Sequence, residues 1–164
     1  MATGTVQQII KRYDALKAGR SNWDRDWEDV ALYVMPNRAD FVTKRSKGDR
    51  SRTEKIYDST AIQANNVLSA SLHMALTSPA APWFSIRFRD ELLAEDDDAN
   101  EWLQTCTERM FNALSESNFN TQINEVYLDL GAFGTACLFL EEGMKPGAFG
   151  GLRFDTVHLS DLCI

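Results

Sequence analysis

The 164-residue chain is poor in the residues that carry most enzyme chemistry. It has two histidines, three cysteines and four prolines. His73 and His158 lie far apart, and neither has a second His or Cys at ligand spacing, which excludes a sequence-legible zinc site. Cys106, Cys137 and Cys163 are odd in number and widely spaced, so neither a disulfide framework nor a C-x-x-C site is supported. Reduced, half-buried thiols, as in a protein made in a cytosol, are expected. No apolar run approaches the roughly 20 residues of a membrane span. The opening MATGTVQQIIKRYDALKAGR carries charge and helical period without an apolar signal core, so no signal peptide is expected. There is no G-x-S-x-G elbow. Gly131-x-x-Gly134 and Gly147-x-x-Gly150-Gly151 lack the strand–loop–helix order and the following Lys-Ser/Thr of a phosphate cradle, and read as a helix stop and a hairpin turn. Asp96-Asp97-Asp98 has no turn glycine, so it reads as a solvated connector leading to a helix cap and not as a calcium loop. No repeat or low-complexity tract is present.

Charge is what the chain has in excess, and it is unevenly spread. The net charge is −7. Residues 1–58 carry 12 basic and 9 acidic residues, whereas 59–164 carry 5 and 15. Overall acidity argues against a dedicated nucleic-acid binder. A local basic cluster, Arg38, Lys44, Arg45, Lys47, Arg50, Arg52 and Lys55, is nonetheless compatible with phosphate contact or with an acidic partner. Asp90, Glu91, Glu95, Asp96, Asp97, Asp98 and Glu101 form the acidic counterpart.

Apolar periodicity predicts a mostly α, α+β chain: helices packed on a small antiparallel or mixed sheet. Val6, Ile9, Ile10, Tyr13 and Leu16 set a stripe on a first helix over about 6–17 that Gly19 ends. Ser21 and Asp24 suggest a capping box for a second helix, with Trp23, Trp27, Val30, Ala31 and Val34 inward and Pro36 as its stop. The two should pack as a hairpin over 1–36. Residues 37–55 have no sustained period and read as a long basic loop, a candidate contact surface. The remainder, 56–164, reads as a helix–strand–helix–helix–hairpin body.

Within that body, Asp58, Ser59 and Thr60 are all good N-caps, and Thr60 with Gln63 suggests a capping box for a helix to about Leu76, with Ala61, Ala64, Asn65, Leu68, Leu72, Ala75 and Leu76 on its inner face. Pro79 and Pro82 force a bend. Phe84–Phe88 alternates like a half-buried strand. Asp98 with Glu101 would cap a helix striped by Trp102, Leu103, Cys106, Met110, Phe111 and Leu114; Asn120 would cap another, faced by Ile123, Val126, Tyr127 and Leu130. Strands are expected over about 135–140 and 152–159. Trp23, Trp27 and Trp102 are expected in cores, while Trp83, with Phe84, is a candidate for subunit packing. The chain stops within the apolar Leu162-Cys163-Ile164, which reads as a cut end.

Several phrases occur in a telling order: Tyr33-Val34-Met35-Pro36, Ile56-Tyr57-Asp58-Ser59-Thr60, Ser78-Pro79 through Pro82-Trp83-Phe84, and Gly131-Ala132-Phe133-Gly134-Thr135-Ala136. The set resembles the N-terminal region of podovirus-type bacteriophage portal proteins, the head-to-tail connecting proteins. The resemblance implies a non-enzymatic structural subunit without cofactors, contributing wing and body to a dodecameric ring. It also implies that its partners are further copies of itself, the capsid protein, a tail adaptor, the terminase motor and, non-specifically, double-stranded DNA, with no membrane. The subunit would be made in the host bacterial cytoplasm and reside at the portal vertex of the virion. The rival readings are a small nucleic-acid-binding helical module using the basic loop, a hydrolase or nuclease using the carboxylates near 90–101, and a truncated prophage remnant.

Overall fold

The computed structural model describes residues 2–44, 46, 48, 54, 56–89, 96–143, 147 and 149–162. Among these, five α-helices and one antiparallel hairpin form an α+β, mostly α chain. The helices are α1 (Ala2–Gly19), α2 (Ser21–Val34), α3 (Thr60–Leu76), α4 (Asp97–Glu116) and α5 (Phe119–Phe133). The strands are β1 (Cys137–Glu142) and β2 (Leu152–Val157). Two compact units divide the chain: Met1–Leu68 with Leu128–Cys137 and Val157–Ile164, and Ser69–Tyr127 with Leu138–Thr156.

The first unit has a small core of Ala31, Ala39, Phe133 and Leu159, with Trp27, Leu32, Met35 and Phe41 packed on it. Its organisation departs from the periodicity. The α1 stripe stays largely in solvent, with Ile9 63% exposed, so α1 and α2 do not bury it as a hairpin. The cap of α2 is Arg20, which makes no side-chain cap bond, and Asp24 turns back to pair with Arg20 at 2.9 Å. That inward turn of Asp24 rotates the buried side of α2 away from Trp23, which is 61% exposed, and from Val30, towards Trp27 and Ala31. Met35 closes α2, and Pro36 opens a 3-10 turn to Arg38, where its missing N–H costs nothing. The segment expected to be an exposed loop starts as core. Ala39 is fully buried, and the Phe41 ring meets Trp27, Phe133 and His158 at 5.7, 5.3 and 5.0 Å.

Polar groups hold this unit as firmly as apolar ones. The Arg20 guanidinium donates to the carbonyls of Leu159 (2.8 Å), Ser160 (3.1 Å) and Leu162, clamping the 3-10 turn Leu159–Asp161, and lies over the Trp27 ring at 5.7 Å. Arg38 pairs with the wholly buried Asp129 of α5 at 2.5 Å. His158 caps the 3-10 turn: its Nδ1 accepts from the Ser160 N–H at 3.1 Å, so its Nε2 is the donor to the Arg38 carbonyl at 2.9 Å.

In the second unit an aromatic chain takes over. Phe84 stacks on Phe111 at 4.3 Å, Trp83 lies parallel to Phe119 at 5.9 Å, and Phe119 meets Phe154 edge-on at 5.1 Å. Two caps fall earlier than expected. Asp96 caps α4 by accepting from Asp98 N–H and Ala99 N–H, and α5 starts at Phe119, one residue ahead of Asn120. Along α4, Leu103 is buried while Trp102 is 61% exposed, so Trp102 is no core residue. Phe84–Phe88 forms no strand among the described residues, although burial alternates along it. The return strand ends at Val157 because His158 leaves the ladder to cap the final turn.

Candidate interaction surfaces

The helix α3 carries no Asp, Glu, Lys or Arg, and it buries polar residues. Its buried positions are Asn65 and Ser69, with Thr77 just past its end, and not the alanine and leucine face that periodicity favours. Each small polar side chain reaches α5. Asn65 Nδ2 donates to the Leu128 carbonyl at 3.1 Å, Ser69 Oγ to the Asn124 carbonyl at 3.0 Å, and Thr77 Oγ1 shares a hydrogen bond of 3.1 Å with the Tyr127 hydroxyl. Small buried donors let two helix backbones approach while leaving few polar groups unsatisfied. Gly131 completes the fit: a Cβ there would overlap Asn65 Oδ1. Gly134 follows with φ +73°, the left-handed residue after α5. As a consequence, Val67 (67% exposed), Leu68, Met74 (62%) and Leu76 face outward.

The start of α3 is built on Asp58. Its carboxylate accepts from the Thr60 N–H at 3.0 Å and the Thr60 hydroxyl at 2.8 Å, and Gln63 reaches back to Ser59 Oγ at 3.1 Å. The box is therefore set one residue before the expected Thr60–Gln63 pair. The Thr60 hydroxyl and N–H hold the Asp58 carboxyl below its usual range, since both stabilise the charged form.

The basic residues singled out from sequence fall into three groups. Arg38 is committed to Asp129. Lys44 is exposed, at the rim of a cavity of about 360 Å³ that Asn37, Arg38, His158, Asp40 and Asp161 also line, so basic and acidic groups share it. Arg45, Lys47, Arg50, Arg52 and Lys55 lie outside the described residues. Trp83 and Phe84 do come together, their rings 4.8 Å apart. Trp83 remains 40% exposed beside a cavity of about 250 Å³ that Pro79, Pro82, Phe111 and Phe119 also line. It is at once a packing residue and part of the surface.

Among the described residues no cluster of His, Cys, Asp or Glu could hold a metal ion, and no helix is long and apolar enough to cross a membrane. Cys106 and Cys137 are free thiols. Reading the sequence alone placed Asn65 on the inner face of α3 but missed Ser69, Asp129 and the capping His158. The signal for Ser69 was there in its i, i+4 spacing from Asn65 on an uncharged helix.

The phrases that marked the chain are junctions in the fold: Asp58-Ser59-Thr60 starts α3, Pro79–Trp83 makes the aromatic bend, and Gly131–Gly134 seats and ends α5. The portal protein of Salmonella phage epsilon15 is 29% identical over 142 residues, 87% of this chain and 26% of that protein. A probable portal protein of Bordetella phage BPP-1 is 33% identical over 138 residues, 83% of this chain and 25% of that protein. The chain thus spans about a quarter of the length of these curated relatives. The family described as "Bacteriophage head to tail connecting protein" matches residues 6–164, and this chain belongs to it.

Proposed function

We propose that this chain is a structural part of a phage portal vertex, the passage through which the genome is packaged and ejected. The family match over 6–164 carries the reading. In it, the chain performs no reaction of its own and works through surfaces. It associates with further copies of itself in a ring, the dodecamer implied by the family. The capsid protein, a tail adaptor and the terminase motor are its other partners. Its place is the virion, after synthesis in the host cytoplasm. The outward apolar residues of α3 and the half-exposed Trp83 support a role in subunit packing. The basic segment, through Lys44, Arg45, Lys47, Arg50, Arg52 and Lys55, would contact DNA phosphates or an acidic neighbour.

Antibodies against this chain should label one vertex per virion. Labelling spread over the whole shell, or none, would sink the reading. The competing view, a free-standing nucleic-acid module, expects DNA affinity of the isolated chain to fall steeply with salt. It also expects Arg45→Ala, Arg50→Ala and Arg52→Ala together to abolish that affinity.

A further inference from the structure

The first unit leaves apolar residues exposed on one side of each of two helices. On α1, Val6, Ile9, Ile10, Tyr13 and Leu16 recur at three and four, all on one side and all exposed. On α2, Trp23, Val30 and Tyr33 (66% exposed) lie on the side away from the buried Asp24 and Ala31. Most of a helix's stability in a protein comes from packing its apolar face, so a stripe left in water calls for a partner. The charges beside the two stripes have opposite sign. Arg12 and Lys17 border the α1 stripe, Asp26 and Asp29 lie in and beside the α2 stripe, and all four are exposed.

The α2 of the same chain cannot be that partner. Helix α1 ends at Gly19, α2 starts at Ser21, and one residue, Arg20, lies between them. Arg20 holds helical dihedrals (φ −91°, ψ −6°) and Gly19 has no positive φ, so the chain does not turn back there. Two antiparallel helices need a loop of roughly two to five residues. The Arg20 side chain is also tied to Asp24 and to the carbonyls of Leu159 and Ser160, so this residue is not free to become that loop.

We propose that α1 of one copy of the chain lies antiparallel on the outer face of α2 of another. The spacing of three and four aligns the two stripes in one register: Val6 against Tyr33, Ile9 against Val30, Tyr13 against Asp26 and Leu16 against Trp23. Apolar meets apolar at three of these levels. At the fourth, the Tyr13 hydroxyl offers a donor to the Asp26 carboxylate. The same register brings Arg12 alongside Asp29 on one flank and Ile10 alongside Trp27 on the other. Lys17 comes beside Arg20 at the end of the overlap, where Asp24 already offsets the Arg20 charge at 2.9 Å. Pairing of like helices fails on charge. Two α1 helices set Arg12 against Arg12 when antiparallel and against Lys17 when parallel. Two α2 helices set Asp29 against Asp29 when antiparallel and Asp26 against Asp26 when parallel. Charge therefore selects the unlike faces, and a contact between unlike faces is the kind from which a ring can close. This rests on the reading of the chain as a self-associating subunit and names the contact.

The test measures the assembly mass of the full 164-residue chain over a concentration series by light scattering. Arg12→Glu should weaken self-association about fivefold, as an exposed attraction becomes a repulsion of similar size. Adding Asp29→Arg should restore it. Ile9→Ser should weaken it about tenfold, since an isoleucine side chain is no longer taken out of water. Introduced thiols then report the register. Chains carrying Ile9→Cys, mixed with chains carrying Val30→Cys, should be joined on mild oxidation. Chains carrying Val6→Cys, mixed with chains carrying Trp23→Cys, should not, because those positions lie about 15 Å apart at opposite ends of the overlap. The parent chain, treated in parallel, reports any joining by Cys106, Cys137 and Cys163. Assembly indifferent to Arg12→Glu would overturn the proposal. So would a chain that stays monomeric, joining of the Val6→Cys and Trp23→Cys chains, or a bond closed within a single chain that carries both Ile9→Cys and Val30→Cys. Labelling of a single virion vertex is independent of all these, so the contact can fail while the structural role stands.

Discussion

The two units of this chain solve the same problem with different materials. The unit built on α1, α2 and the last turn has only a handful of buried apolar side chains, and Arg20, Arg38, Asp129 and His158 fasten them. The unit built on the Pro79–Trp83 bend and α4 relies on stacked rings, with Asn118 and Gln122 pinning the hairpin edge. Ring packing degrades gradually when atoms are removed, whereas a buried ion pair that loses one member leaves an uncompensated charge. The first unit should therefore be the more brittle under single substitutions and the more tolerant of paired ones.

The largest effect is expected at Asp129. Asp129→Ala takes the buried carboxylate away from the Arg38 guanidinium and should cost about 4 kcal/mol. Arg38→Met with Asp129→Leu should cost clearly less than Asp129→Ala alone. Urea midpoints of these variants and the parent test this; equal losses in the single and double variants would erase the proposed contrast between the units. In the aromatic unit, Phe119→Ala removes a ring that touches Trp83 and Phe154 and should cost about 3 kcal/mol. Trp83→Ala should cost less than Phe119→Ala, because Trp83 is already 40% exposed.

Gly131→Ala comes next. Its new methyl meets Asn65 Oδ1 and, at 3.3 Å, Leu68 Cδ2. Overpacking costs about 1–3 kcal/mol, and the better helix propensity of alanine returns about 1 kcal/mol. A net loss of about 1 kcal/mol should follow, and it should shrink in an Asn65→Ala background. An unchanged Gly131→Ala thermal midpoint would show that α3 and α5 have room to separate.

The smallest effect belongs to Asp58. Because hydrogen bonds from Thr60 lower its pKa in the fold, its contribution is present above the unfolded value of 3.8 and is lost as pH falls through the folded value. Stability curves of the parent and Asp58→Asn should therefore differ at neutral pH and converge in acid below 3.8. Curves separated by a constant amount at all pH would show that the carboxylate charge is irrelevant to the cap.

Much of the helical layout was legible beforehand. Periodicity and breakers located the five described helices to within a few residues at most ends, and the hairpin over 143–151 followed from its glycines. Caps were misplaced by one or two residues, since Asp58-Ser59-Thr60 and Asp96-Asp97-Asp98 each offer consecutive acceptors and only geometry selects among them. The inner faces were read less well. Trp23 and Trp102 carry the apolar signal that sends a residue inward, yet lie outward. Ser69 and Asp129 carry the polar signal and lie inward, as Asn65 does. Burial of a polar group depends on a partner far along the chain, such as Leu128, Asn124 or Arg38, and a local period contains no such information.

The sequence by itself determined the helices, the hairpin, the family and the division of charge, because these rest on local propensity, on spacing and on composition. Only the tertiary structure decided which side of each helix is buried, that Arg38 is a fastening residue, and that, among the described residues, only β2 has its outer edge covered by side chains. Those outcomes depend on long-range hydrogen-bond partners and on the close approach at Gly131. They exist only once the backbones have been brought together.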